Sequence, residues 1–255
     1  MNMMKRTVLM LSALVLLLTS CLEDDGYAYS GTFARIVTID HSSDPIRFCC
    51  DYTNELIECG NVTTDDDLAA YGLEEAKRAL VYFDYKANYY ENIITLNTGS
   101  VIEPIDLWCK ALPNDKTYGP VYGFDQLQVE SSWSYPYGWV SDGYLNLIPV
   151  VLSDVAAKHY LAPAGVNGDT LKFNLYMSYE EGSSYRGEYA CYDLRNLLDT
   201  ASADPQFRPW MKEMTDRLNN GNDSVMVCVW ADYMATDTII KATVPTAYFR
   251  FNPNK

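Results

Sequence analysis

Apolar and polar positions follow two regimes along this 255-residue chain. Val8 to Leu18 form an apolar stretch behind Lys5 and Arg6, whereas after Gly31 apolar residues come in short alternating runs broken by turn formers. Alternation sends successive side chains to opposite faces of a strand. Strands are therefore predicted at 32–39, 45–51, 55–59, 79–85, 92–96 and 101–109, with a hairpin at Tyr52-Thr53-Asn54. Thr63-Thr64 followed by Asp65-Asp66-Asp67 supplies cap residues and first-turn acids, which predicts a short helix ending near Gly72. Five or six strands with one short helix before the last group predict an OB-like barrel over 31–110.

Pro113, Asn114, Asp115, Gly119 and Pro120 mark 111–120 as a linker or long turn. Beyond it, strands are predicted at 126–133, 144–152, 158–161, 170–178, 225–231 and 246–251, the repeated short-strand pattern of a β-sandwich over 121–255. One helix interrupts them. Phe207, Trp210, Met211, Met214 and Leu218 recur at helical spacing, with Pro209 in the first turn and Gly221 past the end. The predicted fold class is mostly β: an N-terminal OB-like barrel followed by a C-terminal β-sandwich with one inserted helix.

The first apolar run is shorter than the roughly 20 residues needed to span a bilayer. Its basic start and the small residues of Leu18-Thr19-Ser20-Cys21 mark 1–20 as a lipoprotein signal peptide, with Cys21 the residue that is acylated. Two or more acyl chains there would anchor stably, at about 0.8 kcal/mol per buried CH₂. Residues 21–30 then form a lipidated tether. Its acids Glu23, Asp24 and Asp25 read as a solvated spacer, or more sharply as a sorting tag, because they resemble the surface-export signal of Bacteroidetes lipoproteins. The expected location is the outer membrane, lipid-anchored and facing the cell surface.

Removing residues 1–20 takes away Lys5 and Arg6 and no acid. The mature chain then sets 17 basic residues against 34 acidic ones, a formal charge of −17 against −15 for the whole chain. Such a chain lacks the clustered cations that a phosphate backbone requires, so nucleic acid is excluded as a partner. Cys49, Cys50, Cys59, Cys109, Cys191 and Cys228 follow the anchor. Adjacent Cys49 and Cys50 point to opposite faces, and Cys109 and Cys228 sit in apolar runs, so at most one or two disulfides are expected and the rest as core. No metal-ligand spacing is present, and no metal or other cofactor is expected. Neither His41 nor His159 lies in a catalytic motif, which reads as a noncatalytic chain. Asp65 to Asp67 and Asn219 to Asp223 lack the spacing of a calcium loop.

The most distinctive side-chain cluster is Trp133, Tyr135, Tyr137 and Trp139. In an extended chain the four rings share one face and could stack on sugars or a peptide. Pro136 and Gly138 favour an irregular loop whose rings pack on the domain instead.

Cys21-Leu-Glu-Asp-Asp-Gly-Tyr27, the strand Phe33 to Ile39, Asp142-Gly-Tyr-Leu-Asn-Leu-Ile148 followed by His159, and Asp169 to Tyr176 resemble the NigD-like lipoproteins of Bacteroidetes. The resemblance implies an OB-like domain followed by a β-sandwich and a suggested role in immunity to a bacteriocin, and it carries over no catalytic residue. The helix around 207–218 and the cysteine-rich hairpin depart from that pattern. The sequence thus predicts a noncatalytic, surface-anchored lipoprotein that binds an unknown protein partner in an immunity-like or other interaction role. The alternative is a glycan-capture accessory lipoprotein using an aromatic surface.

Overall fold

The computed structural model describes residues 29–88, 91–130, 133–168, 170–195, 203–219, 225–236, 238–243 and 249–251. They are mostly β, with two short helices. The first sheet contains β1 (Tyr29–Asp40), β2 (Arg47–Cys50), β3 (Leu56–Glu58), β4 (Arg78–Ala87) and β5 (Asn92–Val101), in the order β3-β2-β1-β4-β5 and antiparallel throughout. It curls into a half-barrel. The open edges meet through Asn61, whose side chain exchanges two hydrogen bonds with the backbone of Leu96, at 2.8 and 2.9 Å, as a strand partner would. The Gly60 N–H adds a bond to the Ile94 carbonyl at 2.9 Å. Val37, Phe48, Ile57, Val81, Phe83 and Leu96 fill the inside of the curl.

Helix α1 (Asp65–Ala69) plugs this curl with buried Leu68. Its start is a capping box: the Thr64 hydroxyl accepts from the Asp67 N–H, and the Asp67 carboxylate accepts from the Thr63 and Thr64 N–H groups at 2.9 and 3.0 Å. Gly72, at φ +66, ends the turn in a conformation that side chains with a Cβ rarely adopt.

The second half adds β6 (Ile105–Asp106), β7 (Tyr118–Gly119), β8 (Gly123–Phe124), β9 (Gln128–Glu130), β10 (Trp133–Ser134), β11 (Gly138–Ser141), β12 (Tyr144–Leu147) and β13 (Pro149–Leu152). After these come β14 (Lys158–Asn167), β15 (Thr170–Ser178), β16 (Tyr185–Gly187), β17 (Ala190–Asp193), helix α2 (Arg208–Asn219), β18 (Val225–Ala235), β19 (Thr238–Thr243) and β20 (Phe249–Phe251). The largest sheet runs β14-β15-β18-β19, with β7 on β15 and β20 on β18. A four-stranded sheet runs β11-β12-β17-β6 and a three-stranded one β16-β13-β8. Strand β15 alternates strictly, sending Leu171, Phe173, Leu175 and Met177 into a core shared with Leu145, Leu147, Val151, Tyr192, Val227 and Val229.

Several elements lie where the sequence pattern was weak. The expected linker at 111–120 contributes β7, and the run taken as one strand over 101–109 breaks after Val101 and resumes as β6, paired in parallel with β17. Strands β8, β16, β17 and β19 fall outside the predicted strands; they are short and carry too few alternating apolar positions to register. The expected loop of aromatic residues holds β10 and β11, and β11 turns into β12 through Asp142-Gly143, both at positive φ, the two-residue hairpin turn that suits Asp-Gly. All six cysteines after residue 28 are free thiols, so none of the one or two allowed disulfides forms. Cys50 and Cys59 lie in the first core, where desolvation pushes both thiols up to about 12; Cys191 is buried as well, and Cys49, Cys109 and Cys228 are half-buried.

Candidate functional site

The aromatic run divides between surface and interior. Tyr135 and Trp139 are 0% and 3% exposed, stacked at 4.5 Å with an interplanar angle of 20°, while Tyr137 is 37% exposed. Of Trp133 the backbone, which begins β10, is described. Tyr135 and Trp139 cover the outer face of the first sheet at Ile36 and Leu80, a cross-strand pair, and the Tyr135 hydroxyl accepts the Ile36 N–H at 3.0 Å. Cys21, Glu23, Asp24 and Asp25 lie outside the described residues.

Beneath Trp139 is a buried polar group that no sequence motif announces. Arg78 of β4 and Asp51, just after β2, are both fully buried and form two hydrogen bonds of 2.6 Å. Arg78 also donates to the Thr38 hydroxyl at 2.9 Å and to the Asn146 carbonyl oxygen at 3.2 Å. The indole N–H of Trp139 donates to Asp51 at 2.8 Å, and the Tyr189 hydroxyl to Asn146 at 2.6 Å. The guanidinium lies 4.6 Å from the ring centroid of Tyr144. Desolvation opposes charge on Arg78, but the adjacent Asp51 carboxylate outweighs it and holds the guanidinium protonated well above its ordinary range. Asp51, Thr38 and Arg78 come from the first sheet; Trp139, Tyr144, Asn146 and Tyr189 come from the second half. Arg78, Asp51 and Asn146 are sealed from water, Thr38 and Tyr189 lie half-buried at the margin, and the group joins the two halves.

Both histidines are tied into structure, with opposite consequences. His41 Nδ1 lies 2.6 Å from an Asp65 carboxylate oxygen and Nε2 2.9 Å from the Ala76 carbonyl, two acceptors that require the doubly protonated ring. Desolvation alone would lower its pKa; the bonds to Ala76 and Asp65, helped by the charge of Asp40, raise it. His159 faces the Tyr192 hydroxyl at 3.2 Å, and burial lowers its pKa against the opposing pull of Glu188. His41 therefore stabilises fully below the unfolded value of about 6.5 and loses that contribution as pH rises through its folded pKa. His159 stabilises above about 6.5 and loses that contribution as pH falls. Melting temperatures measured from pH 5.5 to 8.5 should consequently rise with pH in His41→Gln, relative to wild type, and fall with pH in His159→Gln; parallel profiles for all three would show that neither ring titrates as these contacts require.

An open cleft of about 730 Å³ lies on the second half, around the edge of β14. Its lining includes Asp106, Trp108, Lys110, Lys158, His159 and Tyr160, with Met211 of α2 at one side. The Trp108 N–H donates to the Leu161 carbonyl at 2.8 Å and fixes this segment against β14, while its indole N–H donates to the Ala111 carbonyl at 3.2 Å. Tyr160 meets the indole edge to face at 4.8 Å. Cys109 also lines the cleft, but burial, with Asp204 nearby, pushes its thiol up to about 11, far from a reactive thiolate. Of these residues the sequence alone points to His159 and not to Trp108, Lys110, Lys158 or Tyr160. No local signal joins them, because strand order alone brings the segment after β6 beside β14.

Among the described residues no group of three or more His, Cys, Asp or Glu side chains could hold a metal ion. No described helix is long and apolar enough to cross a membrane.

No protein-family model and no curated protein matches the chain. Solved structures do. A protein of Parabacteroides distasonis described as toxin-related aligns with a TM-score of 0.50 at 16% identity, covering 88% of this chain and 95% of its own. One of Bacteroides fragilis described as a lipoprotein aligns with a TM-score of 0.52 at 11% identity, covering 87% and 98%. A NigD-like immunity protein of Bacteroides caccae aligns with a TM-score of 0.48 at 13% identity, covering 89% and 99%. The structural neighbours of this chain thus include a NigD-like immunity protein and a lipoprotein from Bacteroidetes, and what the chain shares with the toxin-related protein and the lipoprotein is the fold.

Proposed function

We propose that this chain is a noncatalytic lipoprotein, held at the outer membrane by acyl chains on Cys21 and exposed at the cell surface, that binds a partner rather than transforming it. The observation that carries the reading is the Lys5-Arg6 start, the apolar run and the Leu18-Thr19-Ser20-Cys21 box, followed by Glu23, Asp24 and Asp25. The fold shared with a protein described as a lipoprotein supports it. We read the curled first sheet as an OB-like domain, on its strand order with a helix between β3 and β4, and the layered second half as a β-sandwich. Absence of catalysis is supported by the engagement of His41 and His159 in structural bonds and by the sealed Arg78–Asp51 pair.

The partner we favour is a protein, in an immunity-like role, and an acidic chain of formal charge −15 disfavours nucleic acid. Glycan capture is the second reading, favoured by the rings that line the cleft beside β14; of the aromatic run, Tyr135 and Trp139 are turned inward. Cells grown with an alkyne-bearing palmitate should label the wild-type chain and leave Cys21→Ala unlabelled. Protease added to intact cells should remove the wild type and spare a variant with Glu23, Asp24 and Asp25 changed to alanine. A labelled Cys21→Ala chain would reject the anchor, and full protection of the wild type would reject surface display.

A further inference from the structure

We propose that the cleft formed by Trp108, Lys110, Lys158, His159 and Tyr160 binds an anionic ring ligand: a carboxylate carried on a ring that has one apolar face. Acids outnumber bases by 34 to 19 in this chain, and Arg47, Arg78, Lys116, Arg186, Arg195 and Lys212 each sit in an ion pair. Lys110 and Lys158, both exposed, form no ion pair with a described residue, and both line the same cleft. Against them the lining sets one carboxylate, Asp106, so on an acidic molecule this concave site is locally net positive, and such a site concentrates anions.

The rest of the lining sets the shape of the ligand. The Trp108 indole has its N–H committed to Ala111, so what it offers is a flat apolar face, and Tyr160 stands against it at 73° to form a corner. Lys110 Nζ rests 5.9 Å from the indole centroid. A ring stacked on that face displaces the ammonium toward the ligand's own charge, exchanging a cation–π contact for a charge-assisted hydrogen bond. The buried Tyr192 hydroxyl lies against His159 Nδ1; with Tyr192 donating, the proton sits on Nε2, which has no hydrogen-bond partner among the described residues and can donate into the cleft. Asp106 is the acid in the lining. A volume of about 730 Å³ lies within the range of small-molecule sites.

Two sources share this chemistry, a sugar acid such as a uronic residue and a planar aromatic acid. The inference rests on the reading of the chain as a binding protein, and the test uses purified full-length chain in detergent, so its outcome is independent of acylation at Cys21. Titration calorimetry with trigalacturonate, neutral galactotriose and indole-3-acetate at low salt separates the cases. One of the two acids should bind with a Kd below about 1 mM and at least about tenfold more tightly than galactotriose. Lys158→Gln and Lys110→Gln, exposed changes that leave the melting temperature alone, should each weaken it roughly tenfold, as should Trp108→Ala if that variant melts normally. Binding of trigalacturonate assigns the cleft to sugar acids, and binding of indole-3-acetate alone to aromatic acids. The proposal is overturned if neither acid binds at about 5 mM, if galactotriose binds equally, or if both lysine variants bind as wild type does.

Discussion

Asp51→Asn is expected to destabilise the folded chain by about 3–5 kcal/mol, the cost of leaving a buried charge without its partner. The substitution keeps the volume of the side chain but removes its charge and turns one of its two acceptor oxygens into a donor, so the fully buried Arg78 keeps one neutral bond and faces an NH₂ group in place of the other. Arg78→Met should cost about as much, because it strands the Asp51 carboxylate, for which the Trp139 N–H at 2.8 Å and the Asn146 amide at 3.4 Å are insufficient. Together, Arg78→Met and Asp51→Leu should lose less than the sum of the single changes, since a paired charge replaced by apolar groups is often close to neutral. Urea unfolding of wild type, Arg78→Met, Asp51→Leu and the double variant, the four corners of that cycle, measures this directly. Additive losses would show that the two groups do not act as a pair.

Trp139→Ala should cost about 3–5 kcal/mol through lost burial and the cavity left beside Tyr135. For a chain of this size that lowers the melting temperature by roughly 10 °C. Trp139→Phe retains a ring on Tyr135 and removes the indole donor to Asp51, so it should cost about 1–3 kcal/mol, the penalty for an unsatisfied buried acceptor. Tyr137→Ala, at an exposed position between them, should change stability by no more than about 0.5 kcal/mol. Thermal melting of the three variants decides between packing and recognition. An unchanged melting temperature in Trp139→Ala, with loss of binding to a glycan or peptide, would restore the four rings as a ligand surface.

Local pattern made much of the architecture legible. The alternation in β1 and β15, the Thr64 to Asp67 cap and the helical stripe before Gly221 each depend on residues a few positions apart, and each element formed close to its predicted place. What the sequence concealed was contact between distant segments. β1 reads as half-buried, with Val37 and Ile39 facing the first core, yet Ile36 is buried too because Tyr135, 99 residues on, covers the opposite face. Asp51 reads as the last residue of the strand predicted over 45–51, before a turn in which Tyr52 and Asn54 take positive φ, and nothing nearby reveals that Arg78 will meet it. The cleft was hidden for the same reason: Trp108 and Tyr160 become neighbours only when the segment after β6 pairs against the edge of β14. The run Trp133 to Trp139 drew attention by composition, and composition does not say which way a ring turns.

The buried group around Arg78 and Asp51 and the Tyr135–Trp139 stack join the first sheet to the second half, so the cleft is expected to sit on a body that does not hinge. Differential scanning calorimetry of the wild-type chain tests that claim most directly. One transition is predicted, with the calorimetric enthalpy equal to the van't Hoff enthalpy, as for a single cooperative unit. Two resolved transitions, one moved by Phe83→Ala in the first core and the other by Phe173→Ala in the second, would contradict it.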